Sequence, residues 1–131
     1  MGNEKGRAKK GCMNKRRVGT NYEALAAQYL EQQGLRIIDK NFRCRQGEID
    51  LIAYDGSYYI FAEVKYRRTA ESGDPAEAVD YRKQIKICRA ADFYRISRRV
   101  PASAPVRFDV VAILDRQVTW YKNAFYYVGS L

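Results

Sequence analysis

Two segments of the chain repeat their apolar residues at the spacing of an α-helix. The first covers residues 20–33, and Gly34 directly after it is a natural helix end. The second covers about residues 76–98, and Pro75 suits the first turn of such a helix. The pattern therefore predicts a short helix early in the chain and a longer helix in its middle.

Strand-like segments lie between and after these helices. Residues 48–54 alternate polar and apolar side chains, residues 58–66 are rich in β-formers, and Asp55-Gly56-Ser57 supplies turn residues, which predicts a β-hairpin. Further strands are predicted at 35–38, 106–114 and 118–121, the last continuing to 125–128, with a polar connection at 40–46. Because the long helix separates two strands, those strands can run parallel. The prediction is an α/β fold of order α-β-β-β-α-β-β, with helices packed on a mixed sheet.

The positive charge is concentrated at the N-terminus. The 131 residues carry a formal net charge of +9, and residues 1–17 hold seven of the 24 basic residues but one of the 15 acidic ones. This tail is predicted to be disordered, either as a phosphate-seeking arm or as a solubilising terminus. Residues 18–131 form the single predicted domain. No stretch approaches the roughly 18 uninterrupted apolar residues of a membrane span.

Histidine is absent, and the three cysteines share no close spacing. A structural zinc site is therefore not expected, and catalytic Ser-His or Cys-His pairs are excluded. Any catalysis must use carboxylates, lysine, tyrosine or a metal ion. A cytoplasmic chain with reduced thiols is expected.

Acidic residues interrupt the predicted hairpin where buried strands are normally apolar. Glu63 and Lys65 must share a face, because side chains alternate along a strand. Paired residue numbers in an antiparallel hairpin have a constant sum. A two-residue or a four-residue turn after Tyr54 puts Asp50 on the face of Glu63, whereas a three-residue loop would separate them. Two neighbouring carboxylates favour a hard cation such as Mg²⁺ or Mn²⁺, so the spacing predicts a metal site with Lys65 pointing at it.

Three motifs in the chain resemble a known family. Gly47–Ala53 (GEIDLIA), Glu63–Lys65 (EVK) and Arg107–Val111 (RFDVV) resemble the YraN-like family of small bacterial proteins, and the resemblance covers nearly all of the chain from about Gly19 onward. That family is similar in fold to Holliday-junction resolvases and to the wider restriction-endonuclease-like superfamily. The resemblance implies a restriction-endonuclease-like mixed β-sheet flanked by helices.

The same resemblance implies roles for individual residues. Asp50 and Glu63 are expected to bind the metal, with the Val64 carbonyl as a further ligand. Lys65 is expected to be catalytic.

Three further acidic residues have competing interpretations. The resemblance makes Glu23 a helix acid that faces the catalytic site, whereas the residues alone favour equally a capping box with Thr20. Glu48 is either a third acidic contact or, more often at such a position, a rim residue. Asp109 is interpreted as the structural ion-pair partner of Arg107.

Basic residues follow the predicted site along the chain. They leave the second hairpin strand and form a stripe on the long helix, which predicts phosphate contacts, with a solvated helix face as the alternative: Arg67, Arg68, Arg82, Lys86 and Arg89. The sequence thus favours a Mg²⁺- or Mn²⁺-dependent endonuclease or resolvase-like enzyme acting on structured DNA, as a monomer or a homodimer and without a membrane partner. The alternatives are a non-catalytic nucleic-acid-binding module of the same fold and a protein-interaction subunit.

Overall fold

The elements follow one another in the order that the sequence predicts. The computed structural model describes residues 15–67 and 79–129, with side chains of the first range described from Tyr22 onward. Within these residues the elements are α1 Lys15–Gln32, β1 Arg36–Cys44, β2 Gly47–Tyr54, β3 Tyr59–Arg67, α2 Tyr81–Ser97, β4 Val106–Leu114 and β5 Gln117–Phe125. The predicted order and the α/β class are confirmed.

In the described part of the chain, five strands form one sheet in the order β1-β2-β3-β4-β5. Neighbouring strands are antiparallel except β3 and β4, which run parallel. The parallel pair encloses α2 in sequence, which confirms the predicted crossover through the long helix. Strand β3 is therefore central, and a neighbour covers each of its edges.

Helices α1 and α2 cover opposite faces of this sheet. Ala26 and Leu30 of α1 pack on the face that includes Leu51, whereas Ile87 of α2 packs on the face that includes Ile52. Leu51 and Ile52 are consecutive in β2, so strand alternation sends them into two different cores. Truncating a buried leucine such as Leu30 to alanine would cost about 2–5 kcal/mol. The central strands are thus covered on both faces, and any charged group there needs specific partners.

Helix α1 begins earlier than the predicted capping box. It starts at Lys15, so Thr20 lies inside the helix and the prediction of a start at Thr20 is wrong. Lysine and arginine are good helix formers, and the residues Lys15–Arg17 extend the helix toward the N-terminus. These three residues were assigned to the tail 1–17, whose residues 1–14 lie outside the described residues.

Helix α2 begins later than the predicted position 76. Asp80 is its N-cap and accepts the backbone N–H of Lys83 at 2.8 Å. The predicted break around Pro75 lies outside the described residues. Neither described helix combines the length and the apolarity that crossing a membrane requires.

Strand β1 is longer than the predicted segment 35–38. It runs from Arg36 to Cys44, so most of the predicted connection 40–46 is strand. Phe42 is the one buried position of β1, because β1 is an edge strand whose other side chains are exposed or half-buried. Such a strand is held by main-chain pairing with β2 and lacks the apolar alternation that predicts strands. By contrast, β4 occupies the predicted residues 106–114.

Candidate metal and nucleic-acid site

The β2–β3 hairpin has the register that brings the predicted metal ligands together. Tyr54 pairs with Tyr59, so paired residue numbers sum to 113 and four residues connect the strands. Oδ1 of Asp55 accepts the backbone N–H of Tyr58 at 2.6 Å and shapes this connection. Of the two turn lengths predicted to put Asp50 on the face of Glu63, the structure has the four-residue turn.

Asp50 lies where β2 separates from β3. The paired register ends at Leu51 and Ala62, and one residue further Oδ2 of Asp50 accepts the backbone N–H of Val64 at 2.8 Å. The carboxylate thus replaces a main-chain acceptor of the ladder, which fixes its orientation. At this point of separation the half-buried Asp50 side chain lies near Glu63.

Glu63 is a buried carboxylate held by two lysines. Its Oε2 atom lies 2.8 Å from Nζ of Lys83 and 3.3 Å from Nζ of Lys65. Lys65 comes from the same face of β3, as predicted, and Lys83 comes from α2. A buried charge is retained only with such partners. The strand and the helix therefore enclose this carboxylate together.

The carboxyl groups of Asp50 and Glu63 lie close enough to interact electrostatically. Burial raises the pKa of Asp50 to about 7, and the negative charges of Glu63 and, more weakly, Glu23 raise it as well, against the opposing hydrogen bond from Val64. The pair therefore keeps a proton near neutral pH, where an ordinary aspartate is fully ionised. An incoming positive charge would release that proton.

Lys83 is the site residue that sequence reasoning missed. It precedes Ile87 and Ala91, both buried, by four and eight residues, so helical spacing places it on the buried face of α2. A lysine on an apolar helix face is the signal that could have found it. Partial burial lowers the pKa of Lys83, but the hydrogen bond to Glu63 and the nearby carboxylate charges outweigh this, and the net shift is upward.

An open groove of about 410 Å³ lies between the start of β2 and the first turns of α2. Arg82, Lys83 and Lys86 line it, together with Glu48, which is exposed as expected of a rim residue. The strand approaches the helix closely at Gly47, where an added Cβ would lie 3.1 Å from the main-chain oxygen of Lys86. Two of the predicted phosphate-binding residues thus share a groove with the lysine that contacts Glu63.

The other predicted basic residues lie elsewhere. Arg89 donates to the Val128 carbonyl, and its guanidinium lies 5.5 Å from the centre of the Tyr127 ring. It therefore holds the C-terminal segment against α2 and does not line the groove. Arg67 is half-buried at the end of β3, and Arg68 lies outside the described residues.

Asp109 is structural, as the sequence predicted. Its carboxylate is fully buried and accepts two hydrogen bonds from Arg107 at 2.9 and 2.8 Å. It accepts two more, each of 2.8 Å, from Nε1 of Trp120 and from the backbone N–H of Asn123. These bonds join β4 to β5, and the bonds to Asp109 raise the pKa of Arg107.

The carboxylate oxygens of the site can be compared with the ligands that a metal ion requires. Across residues 15–67 and 79–129, no three His, Cys, Asp or Glu side chains gather closely enough to hold an ion without other ligands. Asp50 and Glu63 instead form a pair of adjacent oxygen donors, which suits Mg²⁺ or Mn²⁺ because these ions bind through one or two carboxylates and keep several waters. Glu23, half-buried on α1, adds charge near this pair.

Known proteins are similar in sequence to this chain over most of its length. The Uncharacterised protein family UPF0102 matches residues 22–113. A UPF0102 protein of Lachnoclostridium phytofermentans is 46% identical over 118 residues, which cover 90% of this chain and 100% of that protein. UPF0102 proteins of Vibrio campbellii and Stutzerimonas stutzeri are 44% and 43% identical, covering 87% and 82% of this chain and 96% and 92% of theirs. The chain that builds this site therefore belongs to the UPF0102 family, the YraN-like proteins whose motifs it resembles.

Proposed function

We propose that this protein is a divalent-metal-dependent nuclease that acts on branched or otherwise structured DNA. The observation that carries the proposal is the neighbouring pair of carboxyl groups, Asp50 and Glu63. Oδ2 of Asp50 is fixed by the backbone N–H of Val64 at 2.8 Å, and Nζ of Lys65 lies 3.3 Å from Oε2 of Glu63. Two acids held this close, at the half-buried point where β2 and β3 separate, repel each other when both are ionised. A hard cation relieves that repulsion, and a lysine beside it supplies the cationic group that phosphoryl chemistry needs.

Each residue has a defined part in this proposal. Asp50 and Glu63 would hold Mg²⁺ or Mn²⁺, with the Val64 carbonyl as the further ligand that the family resemblance implies. When bound, the ion would polarise the phosphodiester and make water a better nucleophile. Lys65 orients the attacking water or balances the negative charge that develops on the phosphate oxygens. Glu23 is assigned the role of the helix acid near this pair.

The groove gives the proposal its substrate class. Arg82 and Lys86 line it beside Lys83, and they would bind phosphates of either strand without regard to base sequence. Preference for branched DNA rests on the kinship in fold with junction resolvases. The cytoplasm is the proposed setting, and it fits the free thiols of Cys44 and Cys88.

A second candidate function is a nucleic-acid-binding module without catalysis. The observation that favours it is that Lys83 and Lys65 both contact Glu63, so the charge of this buried carboxylate is already compensated without any metal. In that case the groove would still bind phosphates, and the acids would be structural.

Cleavage assays separate the two candidates. Labelled four-way junctions, flaps, linear duplexes, single strands and RNA are incubated with Mg²⁺ or Mn²⁺ and with wild-type protein, Asp50→Ala or Glu31→Gln. Glu31 is exposed on α1 and matches the loss of one negative charge. We expect metal-dependent cleavage by the wild type and Glu31→Gln, with at least a hundredfold loss in Asp50→Ala, of the order seen when a catalytic metal ligand is removed. Wild-type protein that binds these substrates but cuts none would establish the binding module, and failure to bind any would leave a protein-interaction role.

A further inference from the structure

We propose that Lys83 and a divalent cation compete for the same position beside Glu63, and that metal binding moves the Lys83 side chain so that its ammonium group contacts a substrate phosphate. The inference rests on the proposed function. It adds a residue whose movement would couple cation binding to nucleic-acid binding.

Both lysines of the site contact the same oxygen atom of Glu63. Nζ of Lys83 lies 2.8 Å from Oε2 and Nζ of Lys65 lies 3.3 Å from it. A metal ion that uses this oxygen must therefore compete with an ammonium group already in contact. The Lys83 side chain is 43% exposed and that of Lys65 is 21% exposed. Lys83 is thus the lysine whose side chain can more easily move away from Glu63.

The charges of the cluster give the reason for the exchange. When Asp50 and Glu63 are both ionised, their two negative charges are balanced by Lys65 and Lys83. A divalent cation would leave this half-buried cluster with two excess positive charges, which is unfavourable where water is partly excluded. Withdrawal of Lys83 toward an arriving phosphate reduces that excess.

The groove supplies the destination for the displaced ammonium group. Lys83 is one of its lining residues, between Arg82 and Lys86 on the same helix. A phosphodiester drawn into the groove by its two neighbours comes within reach of Lys83. Binding of cation and nucleic acid should therefore be cooperative, and each must raise the affinity of the other by the same factor.

Two variants of full-length protein isolate the effect of Lys83. Lys83→Met removes the contact with Glu63, and Lys40→Met removes an exposed lysine charge on β1, outside the groove. Mn²⁺ binding without nucleic acid, measured by electron paramagnetic resonance, should be about five- to tenfold tighter in Lys83→Met, because a competing cation is gone. Lys40→Met should bind Mn²⁺ within about twofold of the wild type, since that charge is exposed and screened. Lys83→Arg keeps the charge and should also bind near the wild-type value, which separates loss of charge from loss of fold.

Affinity for a four-way junction gives the second measurement. Ca²⁺, which prefers the same carboxylate oxygens, should raise the junction affinity of the wild type and of Lys40→Met by equal factors, and that of Lys83→Met by a clearly smaller factor. Mn²⁺ binding that is unchanged or weaker in Lys83→Met, while Asp50→Asn abolishes it in otherwise wild-type protein, would overturn the exchange and leave the nuclease proposal intact. Wild-type protein that neither binds Mn²⁺ nor cleaves any substrate would overturn both.

Discussion

The backbone N–H of Val64 donates to Oδ2 of Asp50 at 2.8 Å, so the strand that carries Glu63 also orients Asp50. The two acids cannot separate without losing a bond that replaces a rung of the sheet. Their proximity is therefore set by main-chain geometry, and the cost of bringing them together is met when the sheet forms. Such a preorganised pair is what a metal site requires.

The first prediction concerns the pH dependence of stability in Asp50→Asn. Because burial and then Glu63 raise the pKa of Asp50 to about 7, the folded protein holds this proton more tightly than the unfolded chain does. The stability that protonation contributes is present at low pH and is lost as the pH rises toward 7. Asparagine stays neutral and keeps an acceptor for Val64, so we expect a gain of about 4 kcal/mol at pH 8, falling toward zero near pH 4. Urea denaturation in the presence of a chelator measures it, and a gain that is the same at every pH would contradict the raised pKa.

A second prediction separates catalysis from binding at Lys65. Lys65→Ala should lower single-turnover cleavage about 10²- to 10³-fold, because it removes a preorganised cation beside the reacting phosphate. Its affinity for DNA should fall by no more than about threefold, since one phosphate contact among many is lost. Lys40→Ala is the control, because Lys40 is exposed on β1. Cleavage that survives in Lys65→Ala would exclude Lys65 from the chemistry.

The third prediction divides the basic residues of α2 by their surroundings. Arg82→Ala and Lys86→Ala should each reduce the slope of log affinity against log salt by about one, because each removes one phosphate contact. Arg89→Ala should leave that slope unchanged and instead lower the stability, since Arg89 binds the Val128 carbonyl. Fluorescence anisotropy at several salt concentrations gives the slopes. An equal loss of slope in all three variants would mean that the helix acts as a diffuse charge and that the groove has no special part.

The fourth prediction tests the structural role of Asp109. Asp109→Ala leaves the buried partners of the carboxylate without an acceptor, and we expect a loss of about 3–5 kcal/mol in the free energy of unfolding. Asp109→Asn keeps part of the hydrogen bonding and should lose less. Cleavage per folded molecule should stay at the wild-type level in both variants. A variant that is stable but inactive would move Asp109 into the catalytic site.

The hairpin part of the site could be predicted from the sequence because it depends on local rules. Strand alternation relates Glu63 to Lys65, and the parity of the turn relates Glu63 to Asp50. Helical spacing could place Lys83 on the buried face of α2, but its contact with Glu63 depends on how α2 is seated on the sheet, which no short-range pattern encodes. The same seating carries Arg89 away from the groove that Lys86 lines, although the two are three residues apart.

Predictions of element ends failed where hydrogen bonds to the main chain, rather than the pattern of apolar side chains, determine where the element begins or ends. The edge strand β1 continues to Cys44 through exposed residues, because pairing with β2 suffices to hold it. The start of α2 is set by Asp80 as its cap. Helix α1 starts at Lys15 and not at the capping box predicted at Thr20, because good helix formers precede Thr20.

The parallel pairing of β3 with β4 also has a consequence for the order of folding. The β2–β3 hairpin joins neighbours in sequence and can form quickly, whereas β3 meets β4 only after the intervening chain has closed a long loop. Helix α2, which supplies Lys83, lies within that loop, so the hairpin alone carries its two acids without this partner. During synthesis on the ribosome, a nascent chain that has emerged only as far as β3 therefore lacks a complete site. The site is complete only after α2 and β4 have been synthesised and have packed on the hairpin.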